Sequence, residues 1–255
     1  MSSLHELRAV VTRLRAECPW DRAQDLRTIR PYLLEECHEV LDALDHFEED
    51  PSKLREELGD LLFQIYFLAR LAEEQGAFDL ETAAEAIVAK MIERHPHVYG
   101  GADAGAGLGG GAGSVGAWEA RKAARRTGSR VDGVPASLPA LLRAHRVGEK
   151  VAHVGFDWPD IRGVFAKVDE ERRELDEAIA SGDAAAIRHE YGDLLLATAS
   201  LGRFLGISGE DALREANTRF EGRFRSVEAS AAAAGVRLED AGVARLEGWW
   251  QEAKR

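Results

Sequence analysis

The sequence has few cysteines and no long apolar run. Cys18 and Cys37 are its only thiols, too few for a disulfide framework or for a zinc site with four thiolate ligands. No apolar run reaches the roughly 18 residues that a membrane-spanning helix needs. The first residues also lack the charged and then apolar segments of a secretion signal. We therefore predict a cytoplasmic protein that has no membrane partner.

Positive charge is also scarce. The 255 residues include 33 lysines and arginines against 45 acidic residues, which gives a net charge of −12. General nucleic-acid binding depends on basic side chains that neutralise phosphates, so this balance predicts that nucleic acids are not partners. An acidic protein that binds phosphates needs metal ions between the two sets of negative charge.

Sustained strand patterns are missing, whereas helical patterns fill the chain. Apolar residues recur at helical spacing almost throughout, which predicts an all-α fold. The helix starts predicted from capping residues are Asp50 with Pro51, Asp79, Asp160, Asp183, and Ser208 with Asp211. Helix ends are predicted at Gly76, Gly182 and Gly235.

Glycine is concentrated in residues 100–116, which hold nine of the 25 glycines. This composition predicts a mobile loop. Residues 105–110 spell G-x-G-x-x-G, a pattern that binds dinucleotides when it joins a strand to a helix inside a β-α-β unit. Because no strand pattern precedes it, we reject dinucleotide binding.

The sequence contains one pattern twice. EECHE at residues 35–39 is matched by EERRE at 170–174, and EELGDLLF at 56–63 by HEYGDLLL at 189–196. Downstream in the first copy come Lys90, Arg94, Trp118 and Lys122, and their counterparts in the second copy are Arg219, Arg223, Trp250 and Lys254. We therefore predict two tandem helical-bundle repeats, residues 1–127 (with the glycine-rich segment inside) and 128–255.

Each copy carries two pairs of acids on successive helices. Acids three residues apart share one helix face, so two antiparallel helices would bring four acids together. Such a cluster needs a cation, and all-oxygen ligands favour Mg²⁺ or Mn²⁺. The predicted ligands are Glu36, Glu39, Glu57 and Asp60 in the first copy, and Glu171, Glu174, Glu190 and Asp193 in the second.

The alternative for these acids is an ordinary solvated helix face. Against it, the segments after Asp60 and Asp193 are apolar on nearly every side, which predicts buried helices and acids that need compensation. A glycine inside each E-x-x-D motif, Gly59 or Gly192, costs a helix about 1 kcal/mol relative to alanine. Its presence in both copies predicts the close approach of a backbone or a ligand.

The basic residues downstream of the acids resemble clamps for phosphate groups, and each tryptophan has a ring that can stack on a base. Taken singly, each basic residue is more often a solvated charge, and each tryptophan a core residue. Their recurrence in the same order behind both acid clusters favours the binding interpretation. A single tryptophan stacks on any base, so base preference does not follow from the sequence.

These motifs resemble those of the MazG family of all-α nucleoside triphosphate pyrophosphohydrolases. E-E-x-x-E followed by E-x-x-D occurs twice, with RHPHVYG at residues 94–100 and VGFDW at 154–158 between the copies. The resemblance implies hydrolysis of a nucleoside triphosphate to the monophosphate and pyrophosphate. It also implies Mg²⁺ as cofactor, with Mn²⁺ as a substitute, a homodimer, and a role in nucleotide-pool house-cleaning or stress.

The resemblance further implies roles for individual residues. Glu35 and Glu170, the leading acids of each motif, would position or deprotonate the attacking water. The residues that would bind the triphosphate or the base are Lys167, Arg219, Arg223, Trp250 and Lys254 in the second site, and Lys90, Arg94, Trp118 and Lys122 in the first. One departure is His189, which stands where the first copy has Glu56.

We predict that the second site dominates. Trp118 and Lys122 follow the glycine-rich segment, whereas the segment before Trp250 and Lys254 is helix-prone. A fixed position for these side chains matters more for rate than one supporting acid.

Three other interpretations compete with this one. A ferritin-like di-iron protein needs Glu-x-x-His on two helices, and the spacing from Glu35 to His38 occurs once, with Arg173 at the matching position. A Nudix hydrolase would share only Glu56, Glu57 and Gly59 with this chain. A helical module that binds nucleotides without turnover, or that serves dimerisation, stays open.

Overall fold

The computed structural model describes residues 2–99 and 128–254. The chain divides into two compact units, Met1–Ala117 and Trp118–Arg255. The boundary between them falls outside the described residues, as do the glycine-rich segment, Trp118 and Lys122. The predicted boundary after residue 127 and the predicted roles of these residues therefore stay predictions.

Every regular element among the described residues is a helix, which confirms the all-α prediction. The helices of the first unit are α1 (Ser3–Glu17), α2 (Pro19–Ala23), α3 (Arg30–Asp45), α4 (Pro51–Glu74), α5 (Leu80–Arg94) and α6 (Pro96–Tyr99). Those of the second are α7 (Ala140–Ala152), α8 (Ile161–Ser181), α9 (Ala184–Phe204), α10 (Gly209–Ala233), a 3₁₀ turn (Leu238–Asp240) and α11 (Val243–Glu252). None of these described helices has the length and apolar content that crossing a membrane requires.

The predicted capping residues begin the helices. The side chains of Asp50, Asp79, Asp160, Asp183 and Ser208 each accept a hydrogen bond from a backbone N–H in the first turn of the helix that follows. Gly76, Gly182 and Gly235 lie at helix ends with φ angles of 68°, 73° and 66°, a left-handed conformation that glycine adopts without steric cost. Local sequence therefore determined where these helices begin and end.

Two helix pairs position the acids. In the first unit α3 packs against α4, and in the second α8 packs against α9. The core of the first unit contains Val11, Ile29, Phe67 and Leu71. In the second unit the buried apolar residues are small, namely Val164, Val227 and several alanines.

Within the single chain, the burial of α4 and α9 on nearly every side that the sequence predicts is not seen. Leu58 and Ile65 on α4, and Leu195 and Leu196 on α9, are exposed. Each helix buries only the stripe that faces its own unit, because the few helices of one unit cannot cover a helix on all sides.

In each unit, an arginine–carboxylate ion pair joins two separate segments of the chain. In the second unit, Arg203 on α9 donates to both oxygens of Asp157 over 2.6 and 2.8 Å, which joins the VGFDW segment to α9. These hydrogen bonds hold the pKa of Asp157 below its ordinary value. In the first unit Arg15 on α1 donates to Glu74 at the end of α4 over 2.6 Å.

Candidate functional site

Three of the four predicted acids in the first unit meet between α3 and α4. Glu36 and Glu39 lie on α3, and Glu57 lies on α4. One carboxylate oxygen from each lies within 4.8 Å of the others. We call these residues the first triad.

The second unit repeats this arrangement. Glu171 and Glu174 on α8 meet Glu190 on α9, again with ligand atoms within 4.8 Å of one another. We call these residues the second triad. The same three sequence positions thus converge in both units, as the spacing of the acids on two packed helices predicts.

The fourth acid of each predicted set is placed differently. Among the described residues, Asp60 joins no such group of metal-ligand side chains. Asp193 lies with His189 and Glu190, and its Oδ2 is 3.0 Å from His189 Nδ1. Both residues lie three positions after the α4 or α9 acid of their triad, on the same side of the helix.

Each triad contains one buried glutamate. The side chain of Glu57 is 4% exposed and that of Glu171 is 6% exposed. Each forms an ion pair with a lysine one turn earlier on its own helix, Lys53 for Glu57 and Lys167 for Glu171. Lys167 Nζ is 2.6 Å from Glu171 and 2.9 Å from Glu170.

The lysines compensate only part of the negative charge. Hydrogen bonds to the acids raise the pKa of both Lys53 and Lys167 above the ordinary value, so both remain charged at neutral pH. Partial desolvation, followed by the charges of Glu57 and Glu36, raises the pKa of Glu39. Each lysine forms an ion pair with only one of the three acids in its triad, so an additional cation is favoured there.

The donor sets fit Mg²⁺ or Mn²⁺. Both triads supply only carboxylate oxygens, the ligands that these hard cations prefer. Glu171 Oε2 is buried and has no hydrogen-bond partner among the described residues. A buried carboxylate oxygen without a partner is costly, and coordination of a cation would compensate it.

The sequence predicts the close approach of a backbone or a ligand at Gly59 and Gly192, and the structure places no backbone from the other described residues there. A Cβ atom built at either glycine would meet no atom of the described chain within 4 Å. No neighbouring backbone of the described chain therefore requires glycine at these positions, and the approach of a ligand stays a prediction.

Four of the predicted substrate-binding residues of the second unit lie on α10 (Arg219 and Arg223), on α11 (Trp250) and just beyond α11 (Lys254). The ring of Trp250 packs on Phe220 with centroids 5.0 Å apart, and Lys254 Nζ lies 5.6 Å from the centre of the Trp250 ring. Arg219 contacts Glu215 at 3.3 Å, and Arg223 is half-buried. No hydrogen bond or ion pair joins these four residues to the second triad in the described part of the chain.

In the first unit, the described counterparts are on α5. Lys90 is exposed and Arg94 is half-buried, one helical turn apart. The leading acids of the two motifs also have different surroundings. The side chain of Glu35 is exposed, whereas the carboxylate of Glu170 forms an ion pair with Lys167.

Sequence reasoning missed two side chains at the first triad. Lys53 pairs with Glu57, and the amide nitrogen of Gln64 lies 3.5 Å from Glu36 Oε1. The spacing of Lys53 and Glu57, four residues apart on one helix, is a signal that was available. Gln64 carried no such signal, because its contact crosses from α4 to α3.

Comparison with known proteins decides the family. The MazG nucleotide pyrophosphohydrolase domain matches residues 24–99 and 162–227, and both matches contain a triad. The chain belongs to this family. It is 42% identical to the nucleoside triphosphate pyrophosphohydrolase of Escherichia coli (strain K12), over 100% of this chain and 98% of that protein.

A second relative matches over nearly the same span. The nucleoside triphosphate pyrophosphohydrolase/pyrophosphatase MazG of Thermotoga maritima is 37% identical over 98% of this chain and 94% of its own. The nucleoside triphosphate pyrophosphohydrolase of Mycobacterium tuberculosis is 36% identical over 58% of this chain. The first two matches span both units, and this agrees with the tandem repeat predicted from the sequence.

Proposed function

We propose that this protein is a Mg²⁺-dependent nucleoside triphosphate pyrophosphohydrolase, which converts a nucleoside triphosphate and water to the monophosphate and pyrophosphate. The observation that carries the proposal is the convergence of three carboxylates at the same positions of both units. Relatives that match both units are named for this activity.

The acids have two roles in this proposal. The first triad with Asp60, and the second triad with Asp193, hold the cation, for which Mn²⁺ is a substitute. A bound divalent cation lowers the pKa of water and neutralises charge on phosphate oxygens. Glu35 and Glu170, each one residue before the first acid of its triad, position or deprotonate the attacking water.

The basic and aromatic residues hold the substrate. In the second site, Lys167, Arg219, Arg223 and Lys254 bind the triphosphate and Trp250 contacts the base. Their first-site counterparts are Lys90, Arg94, Lys122 and Trp118. An anionic protein needs these cations because the substrate is itself a polyanion.

The products of the reaction test this function. With dATP or dTTP and Mg²⁺, we expect the monophosphate and pyrophosphate in equal amounts, measured by ion-exchange chromatography. Removal of divalent cations with EDTA is expected to abolish turnover, and Mn²⁺ to restore it, because the triads then regain a cation. Release of the diphosphate and orthophosphate would contradict the proposal. Nucleotide binding without any product would support a binding module instead.

We also propose that the protein is a homodimer. Apolar side chains on α4 (Leu58 and Ile65) and on α9 (Leu195 and Leu196) are exposed within their own units, and large exposed apolar patches mark protein interfaces. In this proposal a second copy of the chain covers each of these faces. Size exclusion with light scattering is expected to give twice the chain mass of 27.9 kDa, and a mass of one chain would contradict the dimer.

The physiological role in this proposal is the removal of aberrant nucleotides from the cytoplasmic pool, or a related stress function. No nucleic-acid or membrane partner is expected, in keeping with the net charge of −12. A panel of the eight common nucleoside triphosphates with oxidised and deaminated forms would identify the preferred base and sugar.

A further inference from the structure

Gln64 is a buried polar side chain beside the first triad. It lies on α4, seven residues after Glu57, and is 6% exposed. Its Nε2 approaches Glu36 Oε1 at 3.5 Å, across the α3–α4 interface. Its Oε1 is buried and has no hydrogen-bond partner among the described residues.

The orientation of this amide follows from its neighbour. An ionised glutamate only accepts hydrogen bonds, so the amide nitrogen has to face Glu36. The carbonyl oxygen is then left buried without a donor, which costs stability. A polar group that is retained at such a cost is more typical of a functional site than of a core.

The second unit has no counterpart of this amide. The residue seven positions after Glu190 is Ala197, which is 5% exposed. Glu171, the counterpart of Glu36, therefore lacks a glutamine neighbour from α9 and pairs with Lys167 instead. Both triads consist of three glutamates, but different neighbouring side chains contact them.

We propose that Gln64 is a positioning residue of the first triad: its N–H group holds Glu36 in the orientation in which the triad binds a divalent cation. This inference rests on the proposed function, because it assumes that the first triad binds the cation. Neighbours that orient metal ligands change metal affinity by about 10- to 100-fold when removed. Because the second unit has Ala197 at the matching position, Gln64 affects the cation affinity of the first site and not that of the second.

The test isolates the first triad and measures binding without turnover. Glu171→Gln and Glu190→Gln together remove the second triad, and Mn²⁺ is titrated into the full-length protein while the electron paramagnetic resonance signal of free Mn²⁺ is recorded. In this background, Gln64→Met is expected to weaken binding about tenfold. Methionine has similar volume, so the packing of α4 on α3 is kept.

Thermal unfolding without metal separates positioning from packing. Because Gln64→Met removes a buried acceptor that has no partner, the metal-free melting temperature is expected to stay unchanged or rise. The control is Gln75→Met at the exposed end of α4, for which no change in Mn²⁺ binding is expected.

Three results would overturn the inference. Mn²⁺ binding unaffected by Gln64→Met would do so while leaving the proposed function intact. A lower metal-free melting temperature together with weaker binding would also do so, since lost packing then explains both. The absence of Mn²⁺ binding with Gln64 in place would overturn it together with the cation assigned to the first triad.

Discussion

Replacement of Glu174 by glutamine is expected to slow pyrophosphate release by about a hundredfold or more, whereas Glu39→Gln leaves most of the activity. Both changes remove one carboxylate from a triad, and impaired metal ligation costs about 10- to 100-fold even when only a supporting group is lost. The measurement is the steady-state rate with Mg²⁺ and saturating dATP, with released pyrophosphate as the readout.

We expect the larger loss of activity from Glu174→Gln because of the residues that belong to the second site. Trp250 is fixed against Phe220, and Lys254 lies over the Trp250 ring. Side chains held in place before the substrate binds contribute more to rate than mobile ones. The first-site counterparts, Trp118 and Lys122, follow the glycine-rich segment in the sequence.

A matched control for this comparison lies on the same helix. Glu177 is exposed on α8, three residues after Glu174, so Glu177→Gln removes an equal charge without touching the second triad. Its activity is expected to stay close to that of the unmodified protein. Similar losses for Glu174→Gln and Glu39→Gln would contradict the dominance of the second site.

Lys254→Met is expected to raise the KM for dATP by about 10- to 100-fold with little change in kcat. A hydrogen bond to a charged group contributes about 1.5–3 kcal/mol, and each 1.4 kcal/mol corresponds to a factor of ten in affinity. Because Lys254 is proposed to bind the triphosphate in both the ground state and the transition state, the loss of its ammonium group is expected mainly to raise KM.

Arg245 supplies the control for this second prediction. Its guanidinium lies 5.0 Å from the centre of the Trp249 ring, so Arg245 contacts the tryptophan next to the one that Lys254 contacts. Arg245→Met removes an equal charge and a similar ring contact, and its KM is expected to be unchanged. If both variants raised KM equally, the effect would come from overall charge and the assigned role of Lys254 would be wrong.

The positions of the helices and of the paired acids were accessible to sequence reasoning because they depend on local rules. Asp50, Asp79, Asp160 and Asp183 each accept hydrogen bonds from backbone groups two or three residues away. Acids three residues apart share a helix face in any unit. The convergence of Glu36, Glu39 and Glu57 follows from that rule once α3 packs on α4.

Other features depended on contacts that local spacing does not determine. The apolar segments after Asp60 and Asp193 predicted helices buried on all sides, yet each unit covers only one stripe. The number of neighbouring helices decides that coverage, and no local pattern encodes this number. The exposed faces of α4 and α9 are the result.

Local patterns were enough to predict the helices, the repeat and the candidate acids, since helix periodicity and capping act within a few residues. Helix packing then brought together three of the four candidates in each unit, and it placed Gln64 beside Glu36 where the second unit has Ala197. This selection lies outside sequence reasoning because it depends on which side chains lie at the contact of two helices, and that contact leaves Asp60 and Asp193 outside the triads.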